Sequence, residues 1–161
     1  MKTTTLRILA ALLAILSLSL CFIACDGGSD SALYFSANGE KIAIGASDEV
    51  IGKLGTPLSE TSSASCGGFE GKDYVYTYKG FRVSTTPAKN GQIICKVELT
   101  DDSVKTPEGL YIGMTRADAE TAMKGFTSEA VADNLVYAAG GVKLQVVFRD
   151  GAVSGLVYVA E

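Results

Sequence analysis

The sequence contains itself twice, and that constrains its fold more than any other feature. Ile44-Gly-Ala-Ser-Asp-Glu-Val-Ile-Gly-Lys-Leu-Gly55 resembles Ile112-Gly-Met-Thr-Arg-Ala-Asp-Ala-Glu-Thr-Ala-Met-Lys-Gly125, with two extra residues in the second copy. Val75-Tyr-Thr-Tyr-Lys-Gly80 then lines up with Val136-Tyr-Ala-Ala-Gly-Gly141, and Asn90-Gly91 with Asp150-Gly151. The same events follow in the same order, which is the mark of a duplicated structural unit.

Each copy opens as a short helix. Ser47 and Thr115 can accept hydrogen bonds from the first free backbone amides, and Asp118 completes a capping box after Thr115. Val50, Ile51 and Leu54 form one apolar stripe; Ala119, Ala122, Met123 and Phe126 form the other. Gly55 with Pro57, and Gly125, supply the stops. Three strands follow in each copy. Phe81, Val83 and Thr85 alternate, as do Val142, Leu144, Val146 and Phe148, and Ile93, Cys95, Val97 and Leu99 match Val153, Gly155, Val157 and Val159. Asn90-Gly91 and Asp150-Gly151 read as type I′ hairpin turns, and Asn38-Gly39 as a third, joining 33–37 to 40–44. The expected fold is α+β. Two helix-βββ repeats, about 40–100 and 108–161, share one antiparallel sheet with both helices on one face, preceded by a β-hairpin strand. The segment 100–109 links the halves, and 33–161 makes a single domain.

Residues 1–24 read differently. Lys2 and Arg7 precede an apolar run from Ile8 to Ile23, the pattern of a secretory signal. An acidic, Gly/Ser-rich segment follows, where a membrane-spanning helix would more naturally be followed by Lys or Arg. Phe22-Ile23-Ala24-Cys25 resembles a bacterial lipoprotein lipobox, although Phe22 stands where Leu is usual. The resemblance implies cleavage before Cys25, a lipid on Cys25, and a flexible linker over 25–32 that tethers the domain to the extracytoplasmic face of a cell membrane. A chain starting at Cys25 loses Lys2 and Arg7 and is more acidic than the formal −4 of the whole. With Cys21 gone and Cys25 acylated, Cys66 and Cys95 remain, and an oxidising compartment favours their pairing as a disulfide over two separate thiols.

The repeat pattern I-G-x-[ST]-x-x-[DE], short helix, Gly, meander is similar to the β-lactamase-inhibitor-protein-like fold and to the small lipoprotein of the outer-membrane assembly complex. More narrowly, Cys66, Phe69-Glu-Gly-Lys-Asp73, Thr85-Thr-Pro87 and the run from Asp101 to Gly113 resemble a group of small lipoproteins of clostridia-like bacteria. The inhibitor-like fold implies a protein-binding surface on the sheet face away from the helices. If Phe81, Val83, Ile93 and Val97 face the helices, strand parity places Arg82, Ser84, Ile94, Lys96 and Glu98 outward in the first copy. It places Lys143, Gln145, Val147, Leu156 and Tyr158 outward in the second. The candidate binding residues are therefore Arg82, Lys96, Glu98, Lys143, Gln145, Leu156 and Tyr158, against the plainer reading of a solvated face with incidental apolar residues.

Chemistry is harder to find. The chain has no His, so imidazole-based metal sites and Ser-His or Cys-His pairs are excluded. Asp48-Glu49 and Asp118/Glu120 lie in helix first turns, where capping accounts for them. Asp101-Asp102 lacks the ordered oxygen spacing of a calcium loop, and Cys66-Gly-Gly and Gly140-Gly141 lack a phosphate-loop Lys. No enzyme, cofactor or metal is expected, and the acidic balance argues against nucleic acid. The leading expectation is a lipid-anchored protein-binding or adaptor module with an envelope or extracellular protein as partner. The rival is a small-ligand or cell-wall-glycan binding lipoprotein using the period-2 stripe Tyr74, Tyr76 and Tyr78, although strand packing is the favoured account of these residues, since the second copy has Leu135, Tyr137 and Ala139 at the same places.

The anchor is directly testable. Expressed in a bacterium fed an alkyne fatty acid, the wild-type chain should incorporate the label, and Cys25→Ser should lose both label and membrane association. Label retained by Cys25→Ser would refute lipidation at this residue.

Overall fold

The computed structural model describes residues 32–161, so the signal segment and Cys25 lie outside the described residues. The described chain is mostly β, with 50% strand against 10% helix. A small hairpin, β1 (Phe35–Ala37) and β2 (Glu40–Ile42), comes first. Then follow β3 (Ser59–Ala64), β4 (Lys72–Tyr78), β5 (Phe81–Ala88) and β6 (Gly91–Leu99). The second half has the helix α1 (Arg116–Ala122), then β7 (Ser128–Val131), β8 (Asn134–Ala139), β9 (Val142–Arg149) and β10 (Ala152–Ala160). The last eight strands form one antiparallel sheet in the order β3-β4-β5-β6-β10-β9-β8-β7.

This overturns the expected α+β architecture of two helix-βββ repeats. Each meander has four strands, and only the second begins with an α-helix. The first begins with a 3₁₀ helix, Asp48–Lys53. The motif around it, residues 44–55, is two residues shorter than residues 112–125 and includes Gly52, the poorest helix former after proline, so a full α-helix is not sustained. The caps are as expected. Ser47 Oγ accepts from Glu49 N–H at 3.3 Å, and Thr115 Oγ1 accepts from Asp118 N–H at 3.2 Å. The missed strands, β3 and β7, are the sheet edges. Every residue in both is exposed, so neither carries the alternation that marks a half-buried strand.

The two meanders meet at β6 and β10, where Leu99 faces Leu156 and Val97 faces Tyr158. Both strands are bulged. The ladder shifts between Ser84 and Thr85 opposite β6, leaving Cys95 as the extra residue, and between Val153 and Gly155 in β10, leaving Ser154. The bulge residues behave alike: Cys95 Sγ–H donates to Ser84 O and Ser154 Oγ–H donates to Val147 O, each at 3.3 Å. An inserted residue reverses side-chain parity along the strand. The buried set is therefore Ile94, Val97 and Leu99 in β6 and Val153, Leu156 and Tyr158 in β10. The expected facing of Ile93, Ile94, Leu156 and Tyr158 is corrected accordingly.

The hairpin turns explain why matching Asn90-Gly91 to Asp150-Gly151 misleads. Asn38-Gly39 and Asp150-Gly151 have φ of 54°, 81°, 53° and 79°, as type I′ turns require. At Asn90-Gly91 only the glycine is left-handed, and β5 and β6 stay paired as far as Ala88 and Gly91. The first hairpin thus extends two residue pairs beyond the second.

The repeated Ile-Gly-x-Ser/Thr motif is bound to the bulged strands. Gly45 N–H donates to Ile94 O and Gly113 N–H donates to Val153 O, both at 2.7 Å. Ile94 N–H returns a bond to Ala46 O at 2.9 Å, and Val153 N–H one to Met114 O at 2.8 Å. Positive φ at Gly45 (82°) and Gly113 (94°) turns the chain from this contact into each helix.

One face of the sheet is covered by the β1–β2 hairpin, the 3₁₀ helix, the inter-repeat segment and α1. Phe35 of the hairpin is fully buried, its ring 5.1 Å from Phe81 and 6.2 Å from Tyr158. Burying such a ring contributes roughly 2–3 kcal/mol. The inter-repeat turn is fixed by Thr106, whose N–H donates to Leu110 O at 2.9 Å and whose Oγ1 accepts from Leu110 N–H at 3.1 Å. Tyr158 O–H reaches Glu108 Oε2 at 3.4 Å, and burial holds this phenol far above its ordinary pKa.

A Cβ at Gly113 or at Gly52 would meet no atom within 4 Å, so space does not separate them. Backbone conformation does. Gly113→Ala should cost about 1–2 kcal/mol through its left-handed φ, whereas Gly52→Ala should be neutral or slightly stabilising. Urea unfolding midpoints read the difference, and equal midpoints would contradict the role given to Gly113.

Candidate functional site

The face of the sheet away from the helices is left open by the described residues. Strand register places two rows of side chains on it. The first runs Thr77, Arg82, Glu98, Val157, Gln145, Val136 and Glu129; the second runs Val75, Ser84, Lys96, Val159, Lys143 and Ala138. Five of the seven expected binding residues are thus brought together here: Arg82, Lys96, Glu98, Lys143 and Gln145. The other two are not. Leu156 and Tyr158 are fully buried on the covered face, because the Ser154 bulge turns them inward. Val157 and Val159 take their place.

Electrostatically the face divides in two. On the first meander, Glu98 Oε2 is 3.7 Å from both Arg82 Nη1 and Lys96 Nζ. These pairs are partly exposed, so they order the side chains while adding at most about 1 kcal/mol. On the second meander the face dips into a hollow of about 300 Å³. Val131, Val136 and Val147 supply its apolar lining, and Glu129, Lys143 and Gln145 surround them. A smaller dip of about 220 Å³ adjoins it and shares Glu129, Val136 and Lys143. Val131 is half exposed. Asn134 Oδ1 accepts from Phe148 N–H at 3.0 Å, pinning the β8 side of the hollow. An apolar patch ringed by charges matches the composition of protein-binding surfaces.

Sequence reasoning missed Glu129 and Val131 because β7 was not foreseen, and Asn134 and Val136 because the outward set was not extended to β8. A signal existed: Ser59-Glu60 and Ser128-Glu129 stand at the start of the extra strand in each half. The tyrosine stripe lies on the covered face. Tyr78 is buried with its ring stacked 4.9 Å from Phe81, Tyr76 packs against the core, and Tyr74 stacks 6.1 Å from Tyr76. That arrangement is packing within and across neighbouring strands, Tyr78 opposite Phe81 and Tyr76 opposite Val83.

Cys66 and Cys95 are both free, which corrects the expected disulfide. Cys66 sits exposed in the β3–β4 connection, while Cys95 occupies the β6 bulge and donates to Ser84 O. Burial raises the Cys95 thiol above its ordinary pKa, and the Asp73 carboxylate adds to the effect. Among the described residues, no group of three or more His, Cys, Asp and Glu is placed to hold a metal ion. Nor is any described helix long and apolar enough to cross a membrane.

The thiols give a test. In the folded protein a maleimide should modify Cys66 rapidly and Cys95 slowly, with both reacting after denaturation and without reductant. Loss of both reactions until a reductant is added would mean that the disulfide forms after all.

No protein-family model matches the chain, and no curated protein or solved structure matches it either.

Proposed function

We propose that the chain is a lipid-anchored, extracytoplasmic binding or adaptor module that holds another envelope or extracellular protein against the open face of its sheet. One observation carries this reading: the two faces of the sheet are treated differently by the same chain. The hairpin, the inter-repeat turn and the helices pack over one face, whereas the other keeps Val131, Val136, Val147, Val157 and Val159 uncovered beside the ion pairs of the first meander. Keeping apolar side chains on an uncovered face is unfavourable unless a partner removes them from water. The lipobox-like Phe22-Ile23-Ala24-Cys25 supports the location.

A Lys96→Glu/Val136→Glu variant puts two carboxylates on this face while leaving the core residues unchanged. The tagged full chain should enrich a protein from native membranes, and this variant, melting at the wild-type temperature, should enrich it at least about tenfold less, because an unpaired carboxylate resists burial. Equal enrichment, or none by either chain, would overturn the open-face reading.

A further inference from the structure

We propose that the chain carries a second binding site, on the covered side of the sheet, for a small carboxylate with an apolar body. A cleft of about 540 Å³ opens there between the β1–β2 hairpin, the β4–β5 turn and the inter-repeat segment. This volume falls in the range of about 300–1,000 Å³ that holds small molecules, and is too small for a folded partner. The site is independent of the open face and does not rest on the function proposed for it.

The chemistry of the lining selects the ligand. Leu54, Tyr78 and Phe81 make a buried apolar floor, and Leu58 and Val104 extend it to the mouth. Leu58 is 74% exposed, the highest value among the large apolar side chains of the described residues. Two cations, Lys79 and Lys105, stand among the lining residues, and no carboxylate does. In a chain with formal charge −4 the lining itself therefore carries only positive side chains. Asp101 is exposed beside the cleft, where it accepts from Ser103 N–H at 2.8 Å and feels the Lys79 charge. Lys105 is held with its ammonium 4.6 Å from the centre of the Tyr111 ring.

The cleft has a structural cause. Asn38 Nδ2 donates to Leu54 O at 2.8 Å, tying the β1–β2 turn to the end of the 3₁₀ helix. Ser103 and Val104 pack so closely on Gly80 that a Cβ there would collide with Ser103. The two walls are therefore fixed by separate contacts, and the space between them is left unfilled. No second hairpin accompanies the second meander among the described residues, so the site occurs once.

Ligand-observed NMR with the full chain in lipid nanodiscs tests the assignment, using phenylpropanoate as the probe, phenylpropanol as the uncharged control and empty nanodiscs as background. Phenylpropanoate should bind saturably. Phenylpropanol should bind about tenfold more weakly, as should phenylpropanoate to a Lys79→Gln/Lys105→Gln variant, since a hydrogen bond to a charged group contributes at least that factor. Leu58→Asp, a change at an exposed position, should abolish binding with an unchanged melting temperature. Absence of saturable binding would overturn the proposal. So would equal affinity for acid and alcohol, or affinity unaffected by all these substitutions.

Discussion

The structure depends on a pair of backbone hydrogen bonds made twice. In each half the Ile-Gly-x-Ser/Thr loop exchanges an N–H and a C=O with the residue just before a bulge, Ile94 in β6 and Val153 in β10. Those are the two strands that join the meanders. The exchange therefore fixes where each helix begins, which residue of the central strand is extra, and which side chains face inward. Had either loop docked one residue further along, Val97, Leu99, Leu156 and Tyr158 would meet a differently placed cover, and the shared core would not close.

The duplication also shows how one plan yields unequal halves. The same loop leads to a 3₁₀ helix in the first half and an α-helix in the second, separated by two residues and a glycine. The shorter helix leaves the first meander less covered, and the β1–β2 hairpin fills that space with Phe35 and Ile42, both fully buried. Asymmetry enters where the hairpin meets the inter-repeat segment. On the opposite face it enters as ion pairs on one meander and an apolar hollow on the other.

The duplication, the helix caps at Ser47 and Thr115, and two of the three type I′ turns were legible in the sequence, because each rests on local chemistry. The edge strands were not: Ser59–Ala64 and Ser128–Val131 are exposed throughout, so burial imposes no pattern on them. Nor were the bulges. Cys95 and Ser154 are ordinary small residues whose effect comes from an insertion relative to the partner strand, which a single strand does not display. That hidden residue explains why Arg82, Lys96, Glu98, Lys143 and Gln145 were placed on the open face correctly while Leu156 and Tyr158 were not. The disulfide expectation followed from compartment and count alone, and both thiols are free in the structure.

The point where the chain enters the sheet has a consequence for reach. Leu33 N–H donates to Ala139 O at 3.3 Å, and Gly140 lies so close to Ala32 that a Cβ there would collide with it. From the proposed acyl anchor at Cys25 to Ala32 is seven residues, at most about 25 Å of extended chain. Under the proposed anchoring, the β8–β9 turn, and with it the end of the sheet bearing the β3–β4 and β5–β6 connections, would be leashed to the bilayer. The nine residues of β6 span about 30 Å along the strand. The open face would stand as a low wall beside the membrane, meeting partners sideways within a layer some 55 Å deep, and the cleft at the β4–β5 turn would sit at its outer rim.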